Sequence, residues 1–124
     1  MSELTMRLEA AVHALMDDGP IKRRLVTAYV NSLEDLTPVM LPSEASETFM
    51  QLQEALNVVD PAGRASRVQA SVQKMSQADA SAHARTILEL YRLVVLAARR
   101  GDHLKVIELV GQDSPPPRFL VGSN

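Results

Sequence analysis

The chain has 124 residues, of which 46% are hydrophobic and 23% are charged, values typical of one globular domain. A formal net charge of −2 gives no overall attraction to nucleic acid or to anionic membranes. The absence of cysteine excludes a disulfide framework, a thiol nucleophile and a Cys-ligated metal. The N-terminus lacks the apolar stretch of a secretory signal, so we expect a cytoplasmic protein.

The first third of the chain predicts two helices and a loop. A first helix over about 3–17 begins at Ser2, a favoured N-cap residue. A second, over about 20–36, begins with a proline, which suits a first helical turn. It ends before the next proline, because a residue that precedes proline avoids the α conformation. The loop over 37–42 holds three apolar residues that we expect to turn inward: Val39, Met40 and Leu41.

Two further helices are predicted in the middle of the chain. The third, over about 44–58, is expected to be capped by Ser43 or Ser46. The fourth is expected over about 61–75, because Asp60-Pro61 has the pattern of an N-cap followed by a first-turn proline.

The longest predicted helix, over about 77–100, begins at a capping-box pattern. Within it, ten of the thirteen residues 86–98 are apolar, and the stretch is too short and too charged to span a bilayer. A helix that is apolar around most of its circumference is buried in a domain centre or shared with a partner. Gly101 is expected to end this helix, and a short sixth helix is expected over about 103–110.

These elements predict an all-α fold, a compact bundle of five to six helices around the long apolar penultimate helix at about 77–100. Residues 1–111 are expected to form this single helical-bundle domain. Residues 112–124 form a Pro-rich tail with two open interpretations. The tail is either a strap on the bundle or a polyproline segment that anchors a partner.

The apolar excess of the long helix indicates self-association. One of its faces can pack on the first four helices, whereas the second needs either the sixth helix and the tail or another subunit. Most soluble oligomers are symmetric dimers, so we expect a homodimer, with a different protein as the alternative partner. The candidate interface residues are Leu88, Tyr91, Val95 and Leu96.

Charge is distributed unevenly along the chain. Residues 26–62 contain no Lys or Arg, whereas residues 61–78 contain no Asp or Glu. Two interpretations stay open: a basic surface for phosphate or an acidic partner, or pairing with the acidic 34–60 segment. The candidate basic contact surface consists of Lys22, Arg23, Arg24, Arg64, Arg67 and Lys74.

The sequence contains none of the common motifs of catalysis or metal binding. No HExxH, EF-hand loop, GxSxG elbow, SxxK pair or glycine-rich phosphate loop occurs, and no His has another His three or four residues away. The sequence therefore predicts no catalytic residue, no metal and no cofactor.

The leading interpretation is a small, cytoplasmic, non-catalytic helical adaptor or regulator of bacterial type that self-associates through an apolar helix face. The first alternative is a nucleic-acid-associated regulator that uses the basic helix stripe. The second is a cofactor-free enzyme with His83 or His103 as its base. No membrane association is expected.

Overall fold

The computed structural model describes residues 2–61 and 63–111, and for 101–111 only the helical backbone. The regular secondary structure of the described residues consists of helices, without a strand, which confirms the predicted all-α class. None of the helices in this part of the chain has the length and apolar character that crossing a bilayer requires. The elements are α1 (Glu3–Leu15), α2 (Ile21–Ser32), a 3-10 turn (Pro38–Met40), α3 (Ser43–Leu56), α4 (Arg67–Lys74) and α5 (Gln77–Gly111).

The described part of the chain divides into two compact units, the first ending at Val94 and the second beginning at Val95. The hydrophobic core belongs to the first unit, where apolar residues three and four positions apart form one buried stripe per helix. Tyr29 and Phe49 are the largest fully buried side chains. Burial raises the pKa of the Tyr29 hydroxyl above its ordinary value, so this side chain stays neutral in the core. The core also contains Leu8, Leu25, Leu33, Leu52, Leu56, Val68, Val72, Ile87 and Leu90.

The helix α4 begins later than Asp60-Pro61 predicts, so that prediction was wrong. Ser66 and Gln69 form a capping box: the Ser66 hydroxyl accepts from the Gln69 N–H at 3.1 Å, and Gln69 Oε1 accepts from the Ser66 N–H at 2.9 Å. The chain before it turns at Gly63, whose φ of +64° lies in the region that favours glycine. The reciprocal cap satisfies two backbone donors and therefore sets the start of the helix.

The helix α3 begins within one residue of its predicted start, but the prediction that Ser43 or Ser46 caps it was wrong. Pro42 occupies the N-cap position and no side chain caps the helix. The Ser46 hydroxyl donates instead to the Pro38 carbonyl at 3.0 Å, and Ser43 is the first helical residue. The fixed φ of Pro42 directs the chain into the helix without a capping side chain.

We expect Ser66→Ala to lower the free energy of unfolding by about 0.5–2 kcal/mol, because it removes the N-cap of α4. Ser43→Ala is the matched control: it changes an exposed serine at the start of a helix where no cap bond exists, and it should leave stability nearly unchanged. Urea unfolding followed by circular dichroism measures both. Equal effects of the two variants would contradict the assignment of the cap.

The helix α5 continues through Gly101 to Gly111, so the predicted break and the separate helix over 103–110 were wrong. The long helix is consequently the last helix of the described residues. A glycine inside a helix costs about 1 kcal/mol relative to alanine, which alone does not end a helix. The predicted tail, residues 112–124, lies outside the described residues.

The loop between α2 and α3 turns only one of its three apolar residues inward. Leu41 is buried, whereas Val39 and Met40 are exposed, contrary to the prediction. The Met40 N–H donates to the Thr37 carbonyl at 2.9 Å, which closes a 3-10 turn. Side chains of a 3-10 turn project in three different directions, so they cannot all face one core.

Candidate protein-interaction surface

Within the first unit, residues 77–94 of α5 have one buried side and one exposed side. Ile87 and Leu90 are fully buried, whereas Leu88 is 54% exposed. Successive residues of a helix are rotated by about 100°, so the residue next to Ile87 projects away from the core. Leu88 is therefore an apolar side chain on the outer side of a core helix.

Leu88 lies at a groove formed by three helices of the first unit. Its walls come from the C-terminal end of α1, the N-terminal end of α2, and α5. The groove has a volume of about 250 Å³, and Met16 at its edge is 79% exposed. An apolar recess with exposed apolar edges is typical of a protein contact surface. The residues that line the groove include Val12, Met16, Ile21, Arg24, Arg85 and Leu88.

The electrostatic character of the groove comes from two arginines, since no carboxylate lines it. Arg24 donates from Nε to the Gly19 carbonyl at 2.9 Å and from Nη1 to the Leu15 carbonyl at 2.6 Å. These bonds satisfy the Leu15 carbonyl at the C-terminal end of α1 and the Gly19 carbonyl in the turn that follows, and they fix the guanidinium there. A guanidinium has five donors, so Arg24 keeps donors for an acidic group.

The four candidate interface residues are not equally exposed. In the first unit Leu88 is exposed, whereas Tyr91 is half-buried and packs against the core. In the second unit Val95 is half-buried and Leu96 is 37% exposed. Leu88 and Leu96 are therefore the exposed members of the set.

Sequence reasoning missed the contributions of α1 and α2 to this surface. Met16 and Ile21 flank the turn at Gly19, so their positions depend on how α1 and α2 pack together. Met16 gave only a weak sequence signal for a surface contact, because a methionine at the end of an apolar stripe also fits a core position. The structure instead leaves Met16 exposed beside the groove.

Three of the six candidate basic residues have partners within the chain. Lys22 donates from Nζ to the Gln73 carbonyl at 3.1 Å, which joins the start of α2 to the end of α4. Arg24 donates to the Leu15 and Gly19 carbonyls. Arg67 forms an ion pair with Asp60 at 2.8 Å, so one basic residue does pair with the acidic 34–60 segment.

The other three basic residues are exposed and form no ion pair within the part of the chain that the structure describes: Arg23, Arg64 and Lys74. Arg64 lies in the loop before α4, because that helix begins only at Arg67. Residues 64–74 therefore do not form one continuous basic helix face.

A second, more polar cleft lies between α3, α4 and α5. Half-buried His83 lines it with Glu54, Lys74 and Asp79. A general base needs a hydrogen-bond partner that orients it, and the His83 side chain makes no hydrogen bond within the described residues. The described residues contain no group of three or more metal-binding side chains. The side chain of His103 lies outside them.

Comparison with known proteins gives no relative from which to transfer a function. No protein-family model, no curated protein and no solved structure matches the chain. The geometry of the described surface is therefore the basis for assigning a function.

Proposed function

We propose that this chain is a non-catalytic helical interaction protein that self-associates through the outer side of α5, centred on Leu88. It acts as an adaptor or regulator of bacterial type in the cytoplasm, and a different protein is its alternative partner. The observation that carries the proposal is the exposure of Leu88 on a core helix, beside an apolar groove. Contact with a second chain would remove this apolar surface from water.

The nucleic-acid alternative has less support. Phosphate binding needs several cations that are free to contact the backbone. Lys22 Nζ is bonded to the Gln73 carbonyl, and Arg64 lies in the loop before α4, so the candidate cations do not form the continuous basic helix stripe that this alternative requires. The alternative of an enzyme with a His base has no oriented base among the described side chains to support it.

Leu88→Glu is expected to shift the chain toward monomer while its helical content stays unchanged. A carboxylate at the centre of an apolar contact would be desolvated without a partner in the complex, but it remains in water in the monomer. Size-exclusion chromatography with light scattering measures the mass across a concentration series.

Val39→Glu is the matched control, because Val39 is 87% exposed on the 3-10 turn, which does not line the groove. It removes an exposed apolar side chain and adds the same charge. The proposal is wrong if the wild-type chain is monomeric at every concentration, or if both variants associate as the wild type does.

A further inference from the structure

Two exposed helix faces of the first unit carry opposite charge at the same spacing. The first, which we call the cationic face, consists of Arg85, Leu88 and Arg92 on α5. Positions i, i+3 and i+7 share one side of a helix, and they place the two guanidinium-bearing residues about 10 Å apart with Leu88 between them.

The charge of the cationic face is available to a partner. Arg85 is exposed and makes no ion pair within the described residues. Arg92 bonds through Nε and Nη2 to Glu89 at 2.5–3.0 Å, and its Nη1 donors remain for the carboxylate of a partner. The groove beside Arg85 adds the fixed guanidinium of Arg24 and no carboxylate.

The second face, which we call the acidic face, consists of Glu47, Met50 and Glu54 on α3. Its residues also stand at i, i+3 and i+7. Met50 is 44% exposed, and the two flanking carboxylates are exposed and form no ion pair or hydrogen bond within the described residues. The helix α3 contains no Lys or Arg, so it offers these carboxylates no internal partner.

We propose that the acidic face of one copy docks on the cationic face of a second copy, with Met50 against Leu88 and one glutamate beside each arginine. The inference rests on the proposed self-association and names the surface that meets Leu88. The two faces are complementary because their residues have the same spacing and their charges are opposite. Direct packing of α5 on α5 at Leu88 would instead bring Arg85, Glu89 and Arg92 against a second copy of the same three residues, so that two net positive surfaces meet.

Docking of the acidic face on the cationic face determines which kinds of oligomer can form. Because the two faces are different surfaces, a single contact between them is heterologous, whereas a dimer in which both pairs of faces meet is two-fold symmetric. The contact closes a dimer only if both pairs of faces meet at once, and otherwise it continues into a ring or a chain of copies. Charge contributes to the contact, so association weakens as salt screens the exposed pairs.

The test is a charge reversal with rescue in the full chain. One variant carries Arg85→Glu and Arg92→Glu, and the other carries Glu47→Arg and Glu54→Arg. Each variant alone should self-associate at least about tenfold more weakly than the wild type at ~50 mM salt, because like charges then face each other. An equimolar mixture should restore association, because the reversed faces are again complementary.

The matched control carries Arg23→Glu and Arg64→Glu, which changes the net charge equally at exposed sites outside both faces. This control should self-associate as the wild type does, because both of its faces are intact. In a mixture with the Glu47→Arg/Glu54→Arg variant, only one complementary contact is possible, the control's acidic face on that variant's cationic face. This mixture should therefore associate more weakly than the mixture of the two reversal variants, in which both pairs of faces are complementary. Light scattering measures each mass, and circular dichroism checks that every variant is folded.

The outcomes separate the two proposals. If both reversal variants associate as the wild type does while Leu88→Glu is monomeric, self-association through α5 stands and the docking of α3 is wrong. If the wild type itself is monomeric at low salt and high concentration, both proposals are wrong. Association of the control mixture as strong as that of the two reversal variants would show general charge attraction and would also overturn the docking of the two faces.

Discussion

Ile87→Glu is expected to unfold the chain, whereas Leu88→Glu is expected to leave it folded. Ile87 is 0% exposed and belongs to the core, so a glutamate there would be buried without a partner. An uncompensated buried charge costs several kcal/mol, which is comparable with the ~5–15 kcal/mol by which domains are stable. Leu88 projects outward, and a glutamate there remains hydrated. Far-UV circular dichroism and thermal melting distinguish the two results.

A conservative variant serves as the control for this pair. Ile87→Val removes one methylene group from the same site and should cost only about 0.5–1.5 kcal/mol. Cooperative melting of Ile87→Glu near the wild-type temperature would show that α5 does not bury this side. Unfolding of Leu88→Glu would show that Leu88 is a core residue.

The helices and their buried sides could be predicted from the sequence where one periodic signal acts alone. Leu8, Ala11 and Leu15 recur at helical spacing in α1, and all three are buried as that spacing indicates. The capping serine at position 2 was also predictable: its hydroxyl accepts from the Thr5 N–H at 3.1 Å. Local spacing decides both features, so a single sequence contains them.

The predictions failed where two local signals competed. Asp60-Pro61 and Ser66 with Gln69 are both acceptable helix starts, and only the reciprocal bonds of the second pair fix α4. Gly101 has the pattern of a helix end, but its cost of about 1 kcal/mol is small beside the hydrogen bonds of a continuing helix. Boundaries of this kind depend on free-energy differences that composition does not give.

The candidate surface was predictable only in part. The apolar excess of α5 pointed to Leu88, which the structure leaves exposed. The groove beside it could not be predicted, because Met16 and Ile21 reach it only through the packing of α1 and α2. For the same reason, no local pattern pairs Lys22 with the Gln73 carbonyl, which lies on another helix.

Phe49→Ala is expected to be the most destabilising truncation among neighbouring positions of α3. Phe49 is fully buried, and removing its ring leaves a cavity that costs about 3–5 kcal/mol, a large share of the stability of such a domain. Met50→Ala, one position along, removes a half-exposed side chain and should cost well under ~1.5 kcal/mol. Because Met50 lies on the acidic face, the same variant should nevertheless weaken self-association. Urea unfolding and light scattering on the two variants therefore separate the core side of α3 from its contact side, and equal stability losses would contradict this division.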